Sequence, residues 1–202
     1  VAKLMGAPLV TSAGQSFPVE TRWLENPRPR DARFAADMAA LIQRAIAETD
    51  GSLLAFLPGE GEIRRVMSRL DADLDILPLY GALPFAEQQK ALKPGPRRRL
   101  VLATAIAETS LTLPDIRVVI DGGLARRARF DPGSGMSRLV TERVTRAEAE
   151  QRRGRAGRVA EGLCYRLWTK GEEGALAPFP PAEIETADLT GLALELAEWG
   201  SD

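Results

Sequence analysis

The chain has 202 residues, 45% of them apolar and 27% charged, which suits one soluble globular domain with a sizeable core and room for a fragment of a neighbour. No apolar run approaches the ~20 residues that span a bilayer, the single Cys164 excludes an internal disulfide framework, and the lack of any His argues against a zinc site. The net charge of −1 hides an asymmetry: Arg97–Arg158 holds 14 Arg against 7 acidic residues, a local +7 that leaves −8 for the remainder.

Only Lys3, Lys90, Lys93 and Lys170 supply the other kind of cation. Arg presents a rigid bidentate fork to phosphate, so an Arg-rich central third is compatible with phosphate or nucleic-acid recognition, although genomic composition would produce the same overall bias. The first residues, VAKLMGAPLV, start without Met and lack signal-peptide architecture, which reads as a domain cut; a reduced, cytoplasmic setting is expected.

In chain order, Gln15–Trp23 alternates loosely and runs into the loop of Pro27 and Pro29. Asp31 then caps a helix with Phe34, Ala35, Met38, Leu41, Ile42, Ala45 and Ile46 at three/four spacing, stopped by Gly51. Leu53–Leu57 is a buried strand and Pro58-Gly59 its exit turn, and Gly61–Leu70 returns to helical spacing. The alternation repeats with strand Ile76–Tyr80, helix Phe85–Leu92, and strands Leu100–Thr104 and Val118–Asp121 on either side of Ala105–Pro114, before a last strand at Leu163–Trp168. Short continuous apolar strands alternating with helices predict a doubly wound α/β fold, a parallel sheet covered by helices on both faces, with ligands at the carboxyl ends of its strands.

Arg126–Thr145 interrupts this rhythm. Asp131-Pro132-Gly133-Ser134-Gly135 is a strong turn signal between two extended flanks, which predicts a β-hairpin projecting from the sheet. From Pro178 the chain becomes a proline-rich exit and then an amphipathic helix with Leu189, Leu192, Leu196 and Trp199. The expected division is 1–177 for the main domain and 178–202 for a linker and the first helix of a following domain.

The sharpest feature is Gln151-Arg152-Arg153-Gly154-Arg155-Ala156-Gly157-Arg158. On a helix, Gln151, Arg155 and Arg158 fall at i, i+4 and i+7 and share a face, while Gly154 and Gly157 keep one side slim. Two guanidinium groups one turn apart, with an amide beside them, suit the oxygens of a triphosphate and would offset the charge that develops as a γ-phosphoryl group leaves. A solvated basic face or a generic RNA patch would use the same residues. Two Gly, each costing about 0.5–1 kcal/mol of helix stability, favour the functional reading.

QRRGRAGR resembles motif VI of superfamily-2 helicases, in the QRxGRAGR form of the DEAH/DExH branch. Ala103–Thr112 (ATAIAETSLT) resembles the same branch's motif V, Leu54–Ile63 (LAFLPGEGEI) its motif IV region, and Leu79–Pro84 (LYGALP) the segment that follows. GQSFPVE and PAEIETADLTGLALEL resemble the two edges of the second RecA-like domain in these RNA helicases. The likeness covers nearly the whole chain in the correct order and is strongest to the bacterial HrpB-type group.

That resemblance implies a RecA-like domain supplying half of a cleft, with ATP and Mg²⁺ bound mainly by an N-terminal RecA-like partner domain of the same protein. Arg155 and Arg158 would be arginine fingers and Gln151 would approach the γ-phosphate or its attacking water. Ser110 and Thr112 would border the nucleotide, and Glu108 and Thr109 would couple it to the strand site. Arg152 fits that cleft or a structural salt bridge. Thr104 would contact a phosphate of single-stranded RNA, or DNA, bound without sequence preference, and Gly59 would let strand phosphates approach the main chain. A helix N-terminus capped by Thr109 or Ser110, and a bare turn at Gly59, are the corresponding structural readings. In the hairpin, Arg126, Arg127 and Arg129 could touch phosphate, whereas Phe130 would pack its base; a solvated arm is the alternative. The resemblance further implies 3′-to-5′ translocation.

Two departures stand out. Ala105 replaces the Asn usual in motif V, and Pro114-Asp115 carries its carboxylate one place later than the family does, which puts any ribose or interdomain contact in question. Neither GxxxxGK[ST] nor a DEAH or DExH tetrapeptide occurs, so the chain by itself is expected not to hydrolyse ATP. A nucleic-acid-binding module without motor activity, or a regulatory RecA-like domain, are the competing functional readings.

Overall fold

The computed structural model describes residues 5–6, 8, 16–29, 33–109, 113–131, 133–185 and 187–200. In chain order its elements are β1 (Val19–Leu24), α1 (Phe34–Glu48), β2 (Ser52–Phe56), α2 (Glu60–Met67), β3 (Asp75–Leu79), α3 (Phe85–Leu92), β4 (Arg99–Ala103), α4 (Ile106–Thr109) and β5 (Ile116–Asp121). They continue with β6 (Leu124–Asp131), β7 (Met136–Arg143), α5 (Arg146–Arg153), β8 (Gly162–Thr169), α6 (Lys170–Gly174), a 3₁₀ turn at Glu183–Glu185, and α7 (Thr190–Glu198).

The unbroken apolar runs become the middle of the sheet. Leu53, Leu54, Ala55 and Phe56 of β2 lose all contact with solvent, as do Leu100, Val101, Leu102 and Ala103 of β4, which is the signature of strands covered on both faces. Six strands form one parallel sheet in the order β1-β8-β5-β2-β4-β3. Successive residues divide between two cores. Leu53, Ala55, Leu100, Leu102, Val118 and Ile120 meet Met38, Leu41, Ile42 and Ala45 of α1 and Ile63 and Val66 of α2. On the other face Leu54, Phe56, Val101, Ala103 and Val119 meet Ala91 of α3, Ala107 of α4, and Ala156.

Expected and observed boundaries agree to within a few residues, and the end of α1 is set by residues distant in sequence. No basic residue lies in the last turn of α1, and Arg98, just before β4, serves its Ile46 carbonyl instead. Arg98 donates to Ile46 O at 3.0 Å and to Gly51 O at 3.0 Å. Gly51 is required because a Cβ there would lie 2.8 Å from Arg117 Cβ. The expected cap Asp31 and the first residue of the Gln15 segment lie outside the described residues; Arg33 occupies the N-cap position of α1 without a side-chain cap bond. Cys164 is buried in β8, and burial pushes its thiol up to about 12.

The projecting hairpin is present, with β6 and β7 forming their own antiparallel pair from Leu124↔Arg143 to Asp131↔Met136. Its turn needs Gly135, at φ +66°, and Asp131 Oδ1 accepts from Gly133 N at 3.1 Å. The amphipathic tail forms α7, but Leu192, Leu194, Leu196 and Trp199 are all exposed.

Candidate functional site

Chemistry-bearing side chains gather at the carboxyl ends of β4 and β5, where open α/β sheets place their ligands. Residues 104–109 leave β4 and form α4, while α5 arrives from the hairpin. α5 opens with a capping box: Glu148 N donates to Thr145 Oγ1 at 3.3 Å, and Thr145 N donates to Glu148 Oε2 at 2.7 Å.

The single helical face expected for Gln151, Arg155 and Arg158 needs correction. α5 stops at Arg153, and the chain continues in turns, with Arg155 N donating to Arg152 O, Ala156 N to Arg153 O and Gly157 N to Gly154 O at 3.0–3.3 Å. The cause is docking on β1. A Cβ at Gly157 would lie 2.5 Å from Phe17 O and 2.8 Å from Val19 Cγ2, and Phe17 N donates to Gly157 O at 2.9 Å. Gly157 therefore serves strand packing and not ligand access. Gly154 differs: a Cβ there would meet nothing closer than 3.5 Å.

The turns still bring the three side chains together. Gln151, Gly154, Arg155 and Arg158 line one open cavity of about 320 Å³ with Glu108. Gln151 Nε2 donates to the main-chain carbonyl of Glu108 at 3.3 Å, and Arg155 Nη2 donates to the same oxygen. Burial draws the Arg155 guanidinium below its ordinary range, the Arg158 charge adds to this, and Glu108 opposes it. Arg158 itself is exposed. Two like charges on one rim make a site that an anion relieves.

Beneath this rim Arg152 is completely buried and acts structurally. It donates to Glu108 Oε1 from Nε at 2.6 Å and to Asp121 Oδ1 from Nη1 at 2.7 Å, with its guanidinium 4.9 Å from the Phe56 ring centroid. Burial pushes the Glu108 carboxyl up, while the charge and hydrogen bonding of Arg152 pull it down. Asp121 Oδ1 also accepts from Gly123 N at 2.9 Å, whereas its Oδ2 finds no protein partner. The cluster ties α5 to α4 and to the end of β5, and α4 to the cavity above.

The remaining expected residues separate. Thr104 sits half-buried at the end of β4, its N–H donating to Leu79 O at 3.1 Å and its carbonyl accepting from Ala107 N at 3.2 Å. Ala105 beside it is exposed. Ser110 and Thr112 lie outside the described residues, as does the side chain of Thr109, whose backbone ends α4. Gly59 and Arg126 come together: a Cβ at Gly59 would lie 2.6 Å from Arg126 Nη1, and Arg126 pairs with Glu62 at 3.2 Å. Gly59 is buried under this guanidinium, so the expected approach of a ligand to its main chain is filled by Arg126, the group that faces solvent. Arg127 is committed within the protein. It is held by both oxygens of Glu148 at 2.6 Å and by Glu142 at 3.0 Å, clasping the hairpin to α5. Arg129 pairs with Glu142 at 2.8 Å, and Phe130 is half-buried. The shifted carboxylate also has a local use: Asp115 holds the buried Arg99 through 2.6 and 2.8 Å contacts at the amino end of the sheet, away from the cavity.

Sequence reasoning missed the Thr145 capping box, which the T-x-x-E spacing signals, and the contact of Arg126 with Gly59, which no local signal carries.

A model of the helicase conserved C-terminal domain matches residues 37–160. The ATP-dependent RNA helicase HrpB of Escherichia coli is 47% identical over 200 residues, covering 96% of this chain and 24% of that protein. The HrpA homologue of Haemophilus influenzae is 36% identical over 97% of this chain and 15% of its own length. The crystal structure of E. coli DEAH/RHA helicase HrpB superposes with a TM-score of 0.89 at 47% identity, covering 98% of this chain and 26% of that one. This chain belongs to the helicase conserved C-terminal domain family. Its six-stranded sheet is the RecA-like α/β fold of that structure, with the added antiparallel hairpin. The helicase domain spans about a quarter or less of these relatives' lengths. No helix among its described residues is long and apolar enough to cross a membrane.

Proposed function

We propose that this domain is the second motor domain of an ATP-dependent 3′-to-5′ RNA helicase of the DEAH type, with Arg155 and Arg158 as its arginine fingers. The convergence of Gln151, Arg155 and Arg158 on one open cavity at the strand ends carries this reading. Two guanidinium groups and an amide suit a triphosphate: as the γ-phosphoryl group leaves, charge grows on the bridging oxygen, and a pre-placed guanidinium lowers that barrier. Gln151 would orient the attacking water. Ser110 and Thr112 are proposed beside the nucleotide from their place in motif V.

Mg²⁺ would partner the phosphates and neutralise their charge. The resemblance to DEAH-type helicases assigns its ligands to a preceding RecA-like domain of the same protein. ATP would then be bound between two domains and hydrolysed only when both are present. RNA would cross the domain near Thr104 and the Pro58-Gly59 turn, held by its backbone and so without sequence preference. Arg126, over Gly59, is the phosphate contact proposed there. The cytoplasm is the proposed setting.

The test is Arg158→Ala in the full-length protein. ATP turnover is expected to fall at least tenfold, equivalent to about 1.4 kcal/mol of transition-state stabilisation, while binding of single-stranded RNA persists. Turnover near that of the parent would remove the finger assignment.

A further inference from the structure

α5 ends at Arg153, so Arg155 and Arg158 lie beyond its helical bonding, on a turn held by single main-chain bonds of 3.0–3.3 Å. An arginine reaches its ligand through several rotatable bonds, and a catalytic group has to sit within about 0.5 Å of its productive position. That precision has to come from the main chain beneath the side chains, and what fixes this main chain lies outside the turn. Ala156 and Gly157, the two residues between the arginines, are both buried. Ala156 packs against Gly162 at the start of β8, where any side chain would collide with its carbonyl. Gly157 rests on the residues that open β1, and Phe17 N donates to Gly157 O at 2.9 Å.

Three successive residues of that opening segment each commit a main-chain group. Phe17 gives its N–H to Gly157, Pro18 O accepts from Gly162 N at 3.0 Å, and Val19 O accepts from Arg153 Nη1 at 3.2 Å. Pro18 fixes its own φ and biases Phe17 toward extended backbone, which makes the segment stiff. Arg153 reaches it from the end of α5 and does not line the cavity of Gln151, Arg155 and Arg158. Its Nε donates to Glu150 Oε2 at 2.8 Å, and Glu150 Oε1 accepts from the buried Arg166 of β8 at 2.6 Å. Arg166 in turn lies over the Trp23 ring of β1, 5.8 Å from its centroid. Partners on α5 and β8 therefore aim Arg153 at β1. An exposed i,i+3 pair with Glu150 alone would contribute little; the second bond, to a carbonyl of another element, is what gives Arg153 a role.

We propose that Arg153 and the Phe17–Val19 backbone form a splint that positions the arginine turn for ATP hydrolysis. Arg153 is a positioning residue: it acts through Arg155 and Arg158 and touches no part of the nucleotide. Because Gly157 sits between the two arginines and Phe17 holds it directly, a shift of the residues that open β1 moves both guanidinium groups together. The splint rests on the reading of Arg155 and Arg158 as fingers.

The test is steady-state ATP turnover of the full-length protein with saturating oligouridine, read as kcat and KM for ATP beside the thermal midpoint of each variant. Displacing a reacting group by about 1 Å can cost about 100-fold in rate. Loosening the turn by a fraction of that should lower kcat about fivefold in Arg153→Ala and about tenfold in Gly157→Ala, with KM changed less than about twofold. Arg153→Lys keeps a donor within reach of Val19 O and should recover most of the lost kcat. In an Arg158→Ala background, Arg153→Ala should cost less than it does alone, because part of what it positions is already gone. Parental kcat in both Arg153→Ala and Gly157→Ala overturns the splint even where the thermal midpoint falls, since a merely structural contact lowers stability and leaves the turnover of folded protein untouched. A rise in KM with kcat unchanged overturns it as well, by placing the effect on ground-state binding, and so does a loss in Arg153→Lys as deep as in Arg153→Ala. Parental turnover in Arg158→Ala removes the fingers themselves; impaired turnover there with parental splint variants removes the splint alone.

Discussion

Arg152→Ala removes a cation whose side chain is 1% exposed from between two carboxylates, of which Glu108 is 10% exposed and Asp121 fully buried. Three contacts of 2.5–2.7 Å disappear, as does the guanidinium over Phe56. Deleting one partner of a buried ion pair costs about 3–5 kcal/mol because the charge left behind has no water to turn to. That is a large share of the roughly 5–15 kcal/mol that holds a domain together. Arg152→Met separates charge from volume: it refills most of the space and leaves the carboxylates uncompensated, so it should be nearly as damaging as Ala. The pH dependence has a fixed sign. Burial already raises the Glu108 carboxyl and Arg152 is what pulls it down, so the variant raises it further. A group raised above its unfolded value of about 4.3 contributes stability below that pH and loses it as pH rises through the folded value. The deficit of both variants, read from urea midpoints of this chain, should therefore be largest at pH 7.5 and smaller at pH 5.5. A deficit below 1 kcal/mol at pH 7.5, or one equal at the two pH values, would refute the reasoning, since it would mean that the carboxylates reach water.

Gly157→Ala should destabilise by about 1–3 kcal/mol in urea unfolding, because its Cβ meets Phe17 O and the β1 backbone has to move; Gly154→Ala should be neutral or slightly stabilising. Equal costs would contradict the separate roles of the two glycines. Asp115→Asn should cost about 1–3 kcal/mol by weakening the hold on buried Arg99. Burial works to raise the Asp115 carboxyl, but the Arg99 hydrogen bonds and charge, with Ser52, outweigh it and leave it lowered. A lowered carboxyl contributes stability above its unfolded value of about 3.9 and loses it as pH falls through the folded value, so the gap between parent and variant should be steady from pH 7 to 5 and close below about pH 4. A gap still open at pH 3 would sink that account.

The sheet was legible because its strands are buried on both faces, and such strands read as unbroken apolar runs such as Leu53–Leu57. The hairpin was legible because its turn requires Gly135 in a left-handed conformation. The end of α5 was not. Helical spacing through Arg158 looks continuous in sequence, and the interruption comes from Phe17 and Val19, about 140 residues away, packing on Gly157. The same holds for the arginines. Arg126, Arg127, Arg152 and Arg166 are equivalent in composition, but Arg126 covers Gly59, Arg127 joins the hairpin to α5, Arg152 is sealed beneath the cavity, and Arg166 is buried against Glu150 and Glu173. What distinguishes them is the carboxylate that tertiary structure brings to each, and local pattern is silent on that.

Under the proposed function, Glu108 would link the two ligands through a short series of covalent and hydrogen-bonded steps. Thr104, the proposed strand contact, lies four residues before it, with its carbonyl accepting from Ala107 N. The Glu108 carbonyl holds Gln151 and Arg155, and its carboxylate is gripped by Arg152. Were a phosphate to draw Arg155 away, as the proposed finger role requires, the α4 turn would lose one of the donors to the Glu108 carbonyl; a phosphate on Thr104 would act on the same turn from its other end. The proposed coupling would require this one-turn helix to move as a unit, and the Arg152 clamp on Glu108 is the contact that would make it do so. Glu108→Gln keeps the shape but weakens the clamp, since a neutral amide replaces the charge facing Arg152. In the full-length protein the ratio of RNA-stimulated to unstimulated ATP turnover should fall severalfold, with the affinity for oligouridine changed much less. If that ratio is unchanged, the signal between strand and nucleotide does not pass through this turn, and Glu108 is only a buried counter-ion.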